Sequence, residues 1–186
     1  MKTLSRHLAD TFTSQYRTRV EPQADGRLEV HVGYPINGTH ATRIVANPDV
    51  EIRVMAPHTL VFTGMRWHVR AYCEKNREYR DFVLSRFRGE PDLMDASEHT
   101  REQDEAWNTP VTVLIEPDAR LSQAQKAIIE VDFGMVDGQL PVETRGALVQ
   151  YVLQRFGIDP NTVQANAAAQ QLQVGNLQAL KGWLYS

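Results

Sequence analysis

Cysteine is almost absent: Cys73 is the only one among 186 residues. An intramolecular disulfide is therefore excluded, and a reducing cytoplasm is the natural setting. Long apolar runs are missing too. No stretch approaches the roughly 20 residues that span a bilayer, and Met1 to Val20 holds no apolar signal core. A membrane partner and secretion are thus not expected. Positive charge is not in excess: 20 Lys and Arg face 23 Asp and Glu, for a net charge of −3. The chain as a whole lacks the basic footprint of a DNA binder. Catalytic signatures are missing as well, with no Gly-x-Ser-x-Gly, Walker loop or Rossmann glycine fingerprint. The six histidines keep no metal-ligand spacing with Cys73 or with one another. No metal and no cofactor are expected. An enzyme acting on small nucleotides, with His68 or His58 as acid–base, finds no paired base or nucleophile here, so the chain reads as a non-enzyme.

What is present is the composition of an ordinary folded protein, 42% hydrophobic and 23% charged. A core can form without staples. Charge is unevenly spread. From Arg53 to Arg88 the chain carries Arg53, Arg66, Arg70, Lys75, Arg77, Arg80, Arg86 and Arg88 against only Glu74, Glu78 and Asp81. The sign then flips, with Glu90, Asp92, Asp95, Glu98, Glu102, Asp104 and Glu105 facing Arg101 alone. A basic module followed by an acidic connector is a domain-level asymmetry.

Hydrophobic spacing supplies the elements. Leu4, Leu8, Phe12 and Tyr16 recur at i, i+4 and predict a short helix over 3–19. Arg27 to Tyr34 alternates as a strand, and Thr42 to Val45, Val50 to Met55 and Thr59 to Phe62 continue β character. Short strands with tight turns over 25–88 predict a small barrel or roll. Residues 89–108 read as a polar, acidic linker. Val111 to Glu116 predicts a strand, and Ser122 caps a helix running to about Val131. Gly138 to Val142 reads as a short strand or an extended segment. Thr144 to Phe156 predicts an amphipathic helix stopped by Gly157 and Pro160. Residues 161–175 read as a further helix or a loose tail, and Leu177 to Tyr185 is helical. The expected division is 1–24 as an N-terminal helical segment, 25–90 as barrel, 91–109 as acidic linker and 110–186 as an α/β unit.

The richest stretch is Gly64-Met65-Arg66-Trp67-His68-Val69-Arg70-Ala71-Tyr72-Cys73, followed by Arg80-Asp81-Phe82-Val83-Leu84-Ser85-Arg86. Strand alternation puts Trp67, Val69, Ala71 and Cys73 on one face and Arg66, His68, Arg70 and Tyr72 on the other. The first face reads as core, with Cys73 an inert buried thiol. The second offers forked donors for phosphate and rings for base stacking. Asp81 reads as an ion-pair partner or turn acceptor. On periodicity alone, an ordinary sheet face covered by Arg stems fits equally well.

These residues, with Arg53-Val54-Met55-Ala56-Pro57-His58-Thr59-Leu60 before them, resemble a WYL domain, the sensor module of many bacterial transcription regulators. Trp67-His68-Val69 stands where the family has its naming triplet. That form is similar to a subgroup of regulators associated with phage defence. Val111 to Asp159 resembles the C-terminal extension of those regulators, carried by Leu121-Ser122-x-x-Gln125, Asp132-Phe133-Gly134-Met135 and Leu153-Gln154-Arg155-Phe156-Gly157-Ile158-Asp159. The resemblance implies an α+β chain: a small SH3-like (Sm-like) β-barrel followed by a small α/β dimerisation unit. It implies a homodimer and a nucleotide or oligonucleotide effector. The candidate ligand residues carried over are Arg53, His58, His68, Arg70, Arg80 and Arg86, with Trp67 assigned to packing. Leu148, Tyr151 and Phe156 are the apolar residues expected to serve the dimer. The family reads DNA through an N-terminal winged helix. The roughly 25 residues before the barrel are too few for one, so DNA contact is expected only through a winged helix absent from this chain, whether the chain is a fragment or a stand-alone sensor. The alternative is a protein-interaction module without a small ligand.

Overall fold

The computed structural model describes residues 52–184 and, as backbone alone, three earlier strands. The chain divides into two compact units, residues 1–103 and 104–186. It is a mixed α+β protein, as expected.

In the first unit β1 (Thr18–Pro22) pairs antiparallel with β2 (Leu28–Val32). The helix expected over 3–19 falls outside the described residues except at Thr18 and Arg19, which open β1 instead. The remaining strands are β3 (His40–Val45), β4 (Ile52–Phe62), β5 (Trp67–Cys73), β6 (Glu78–Val83) and β7 (Arg88–Ala96). They form one antiparallel sheet in the order β6-β5-β4-β3-β7. Four strands run as a meander. After a 3₁₀ turn at Leu84–Arg86 the last strand returns to pair with β3. Two tight turns set the central register. Gly64 takes φ +92° between β4 and β5, a conformation open to glycine, and Arg77 takes φ +56° between β5 and β6. Alternation then buries Met55, Val69 and Ala71 with Leu84 and Phe87, and half-buried Leu60, Trp67 and Phe82 pack against them. Trp67 is thus on the core side, and Cys73 is buried.

The acidic stretch read as a linker is largely structured. Its first half lies in β7, followed by a 3₁₀ turn at Arg101–Gln103 and a short helix, α1 (Glu105–Asn108). The sheet edge explains why an acidic segment containing proline can be a strand: in the described sheet one side of β7 faces no neighbouring strand, so Pro91 costs little there.

The second unit has β8 (Pro110–Pro117), α2 (Gln123–Phe133), β9 (Leu140–Arg145), α3 (Val149–Arg155), α4 (Ala167–Gln170), β10 (Leu172–Val174) and α5 (Leu177–Leu180). The sheet order is β10-β8-β9, all antiparallel. Val113 and Ile115 of the central strand pack with Ile129, Val149, Leu153, Ile158, Leu172 and Leu180. Ser122 caps α2 in a reciprocal box: its hydroxyl accepts from the Gln125 amide, and the Gln125 side chain accepts from the Ser122 amide. Gly134 closes the helix at φ +61°. The helix expected from Thr144 begins instead at Val149, because Thr144 and Arg145 pair with Val111 and Pro110 as the end of β9. Residues 161–175 are neither one helix nor a tail, since Leu172 to Val174 add a strand to β8.

Candidate functional site

Strand β5, between β6 and β4, carries polar side chains on one face and apolar ones on the other, yet both faces are covered. His68 is 4% exposed and Arg70 6%. The face expected to be an open cationic surface is therefore an interior one. Register places Arg70 opposite Asp81, and their side chains form an ion pair with Nη1 3.4 Å from Oδ1. Burying the guanidinium demands such a partner. Asp81 is accordingly the ion-pair partner.

One step along the same face, Tyr72 lies opposite Tyr79, with the rings edge to face at 5.2 Å. His58 joins them through a bulge in β4. Pro57 pairs with Ala71 and Thr59 with Arg70, leaving His58 as the extra residue. Its ring meets Tyr79 at 5.7 Å, and its Nδ1 is 2.8 Å from the Thr59 hydroxyl. His99, from the segment after β7, stacks on Tyr72 with centroids 3.5 Å apart. The Tyr79 hydroxyl donates to the Thr100 carbonyl at 2.6 Å.

The six expected residues therefore divide. His58, His68 and Arg70 share this face. Arg86 is exposed on the 3₁₀ turn and lies near enough to His68 to act on its charge. Arg80 pairs with Ala71, so it projects from the opposite face, where its Nε lies 3.4 Å from the half-exposed Glu78 carboxylate. Arg53 also serves the opposite side: its guanidinium donates to the Asn76 side-chain oxygen, which accepts from the Cys73 thiol too. It clasps the β5–β6 turn. Sequence reasoning misses Tyr79 and His99 as members of this face. The register of Tyr79 opposite Tyr72 is a signal that could find it. His99 sits in the acidic stretch, with no periodicity to mark it.

Burial holds His68 below the ordinary imidazole value. Asp81 pulls against that, Arg66 and Arg86 reinforce it, and a hydrogen bond with the Arg66 backbone opposes it. The imidazole is thus kept neutral beside a balanced ion pair. Among the described residues no three His, Cys, Asp or Glu side chains gather as metal ligands. No described helix is long and apolar enough to cross a membrane.

The described residues thus give a small sheet with a buried ion pair and packed rings, followed by a second α+β unit. Comparison with known families gives the same division. The WYL domain matches residues 43–89, and the C-terminal dimerization domain of the BrxR transcriptional regulator matches residues 110–180. The chain thus carries a WYL domain followed by a BrxR-type C-terminal dimerization domain, the pairing found in WYL-type transcription regulators. It is 36% identical over 137 residues to the DNA-binding transcriptional repressor CapW of Pseudomonas aeruginosa, covering 74% of this chain and 46% of that protein. The CapW of Stenotrophomonas maltophilia is 32% identical over the same shares. That of Escherichia coli (strain KTE188) is 37% identical over 130 residues, 70% of this chain and 42% of the relative. The chain thus spans less than half the length of these relatives.

Proposed function

We propose that this chain is the ligand-sensing and dimerising part of a transcriptional repressor, working in the cytoplasm rather than as an enzyme. The ligand is a nucleotide or a nucleic-acid-like molecule, taken on the face that holds His58, His68 and Arg70, with Arg86 at its rim. The observation that carries this is the pairing of a buried, oriented guanidinium with adjacent aromatic rings inside the WYL-matched region. Such a face offers rings to a base, and a phosphate that displaces the Asp81 carboxylate finds the Arg70 guanidinium already oriented. The return of β7 to β3 supports an SH3-like barrel for this unit. DNA contact in this reading belongs to a winged helix outside residues 43–180.

Binding of a fluorescein-labelled tetranucleotide, followed by anisotropy across a salt series, tests the reading. Arg86→Ala removes an exposed cation and is expected to weaken binding and to flatten the salt slope by about one. Arg80→Ala, on the other face, is expected to leave both unchanged. Salt-independent binding, or equal loss in both variants, sinks the site.

Homodimer formation is proposed for the second unit, and α2 supplies the face. Ile129 is its buried contact with the core, while Ala124, Ala127, Ile128 and Val131 recur at i, i+3, i+4 and i+7 on an exposed side. Ile128 is 61% and Val131 80% exposed. An apolar stripe of this kind within a region matching a dimerization domain fits a second copy. The residues expected for the dimer fit less well, since Leu148, Tyr151 and Phe156 are half-buried within their own unit and Phe156 packs against its core. The alternative, a protein-interaction module, draws on exposed Phe62 and Met65 beside the β4–β5 turn.

A further inference from the structure

We propose that Tyr72 is the stacking platform for the ligand's ring, and that His99 holds the ring's place until the ligand displaces it. The proposal rests on the ligand-sensing reading and names how that site is gated. The ligand it implies is a planar heteroaromatic ring carrying an anionic group.

The geometry is that of a bound base. The His99 and Tyr72 rings lie 18° from parallel with centroids 3.5 Å apart. The other ring contacts of this face are edge-on: Tyr72 with Tyr79 at 70° and His58 with Tyr79 at 68°. Aromatic side chains prefer offset-stacked or edge-on contacts, with centroids about 4.5–7 Å apart, over a close face-to-face sandwich. A close parallel stack is how proteins hold a nucleobase, and it tolerates any flat ring. Tyr79 walls the platform on one side. Arg70 lies two residues along the same strand, roughly 7 Å away, paired with Asp81 in the interior, so an anionic group attached to the stacked ring reaches it by displacing that carboxylate.

The segment that carries His99 is bonded within itself. The His99 amide donates to the Ser97 hydroxyl at 3.1 Å. Thr100 and Gln103 form a reciprocal pair: the Thr100 amide donates to the Gln103 side chain at 2.9 Å, and the Gln103 amide donates to the Thr100 carbonyl at 3.2 Å. That carbonyl is also where Tyr79 anchors the segment to the sheet. His99 and Tyr72 are both half-buried, so the stack lies at the margin of the unit. Residues 90–109 fall outside both matched domains, and the second unit begins at Asp104. A ligand that takes the place of His99 therefore acts on the chain connecting sensor to dimerization unit. It shifts that connector only as far as it binds the released state better than the stacked one.

Two measurements on the full chain test this, with a 2-aminopurine-labelled dinucleotide as probe. His99→Ala removes the competitor and is expected to tighten binding about five- to tenfold, the scale of one lost stacking contact. Tyr72→Ala is expected to abolish quenching of the probe, and Tyr72→Phe, which keeps the ring, to retain it. Independently, the His99 ring protons should show an upfield ring-current shift in the free protein that disappears on saturation with probe. This readout needs no folded variant. If the wild type binds but the His99 shift persists, or if His99→Ala and Tyr72→Ala leave affinity and quenching unchanged, the platform is overturned while the sensing reading stands. If no form binds, His99→Ala included, the sensing reading fails and the platform with it.

Discussion

Two buried side chains, on β5 and β6, carry most of the first sheet's risk. Arg70 and Asp81 are buried together, and the removal of one takes away the opposite charge 3.4 Å from the other. Arg70→Ala is expected to cost about 3–5 kcal/mol of stability, and Arg70→Met with Asp81→Leu to recover most of it. Urea denaturation measures both, and additive losses in the double variant refute the coupling. Ligand tests on Arg70 alone therefore mix folding with binding, which is why exposed Arg86 is the cleaner probe. His68 gives a pH signature. Its folded-state value lies below the ordinary 6.5, so its neutral form is the one the fold prefers. Its stabilising contribution is complete above pH 6.5 and is lost as pH falls through the lowered folded value. Thermal unfolding at pH 7.5 and pH 5 should show a drop that His68→Gln reduces; equal drops in both proteins remove His68 from the explanation. Strand alternation alone sorts His68, Arg70 and Tyr72 onto their correct face. It does not reveal that the face is covered, because period two distinguishes faces and not their surroundings.

Elements with strong local chemistry are legible in the sequence, and those made by pairing are not. The Ser122–Gln125 box and Gly134 announce both ends of α2 within a few residues. By contrast, β10 has three residues and exists because it pairs with β8. β7 is acidic and contains Pro91, so its propensity argues against it and only its edge position permits it. Thr144 and Arg145 fit the helical spacing that follows them, yet Arg145 also stacks its guanidinium 4.9 Å from the Trp107 ring and bonds the Trp107 carbonyl, which holds it in β9. Gly146 then lets the chain turn beneath Trp183. A Cβ there would sit 2.6 Å from that indole. Gly146→Ala should push Trp183 aside and cost about 1–3 kcal/mol. A change in tryptophan emission together with a lowered unfolding midpoint is the expected result; unchanged emission means the backbone, not the indole, gives way.

At the level of the whole molecule, charge tells more than periodicity. The switch from basic to acidic near residue 90 marks the end of the WYL-matched region, and the acidic stretch leads to the start of the second unit at Asp104. The sequence pattern also points to the second unit as the place of assembly, but on Leu148, Tyr151 and Phe156, which that unit half-buries for itself. An apolar surface left open to a second copy is the outward stripe of α2. A symmetric pair of such helices would cover Ile128 and Val131 twice over, and full burial of each aliphatic side chain is worth about 1.5–3 kcal/mol. That is enough to matter to a micromolar dimer, which needs about 8 kcal/mol net. Ile128→Glu with Val131→Glu should therefore give a monomer in sedimentation equilibrium where the wild type is a dimer. Both residues are solvent-facing in the protomer, so far-ultraviolet dichroism should not change. A wild type that is already monomeric at tens of micromolar removes the homodimer. A double variant that stays dimeric keeps the homodimer and moves its seam off α2.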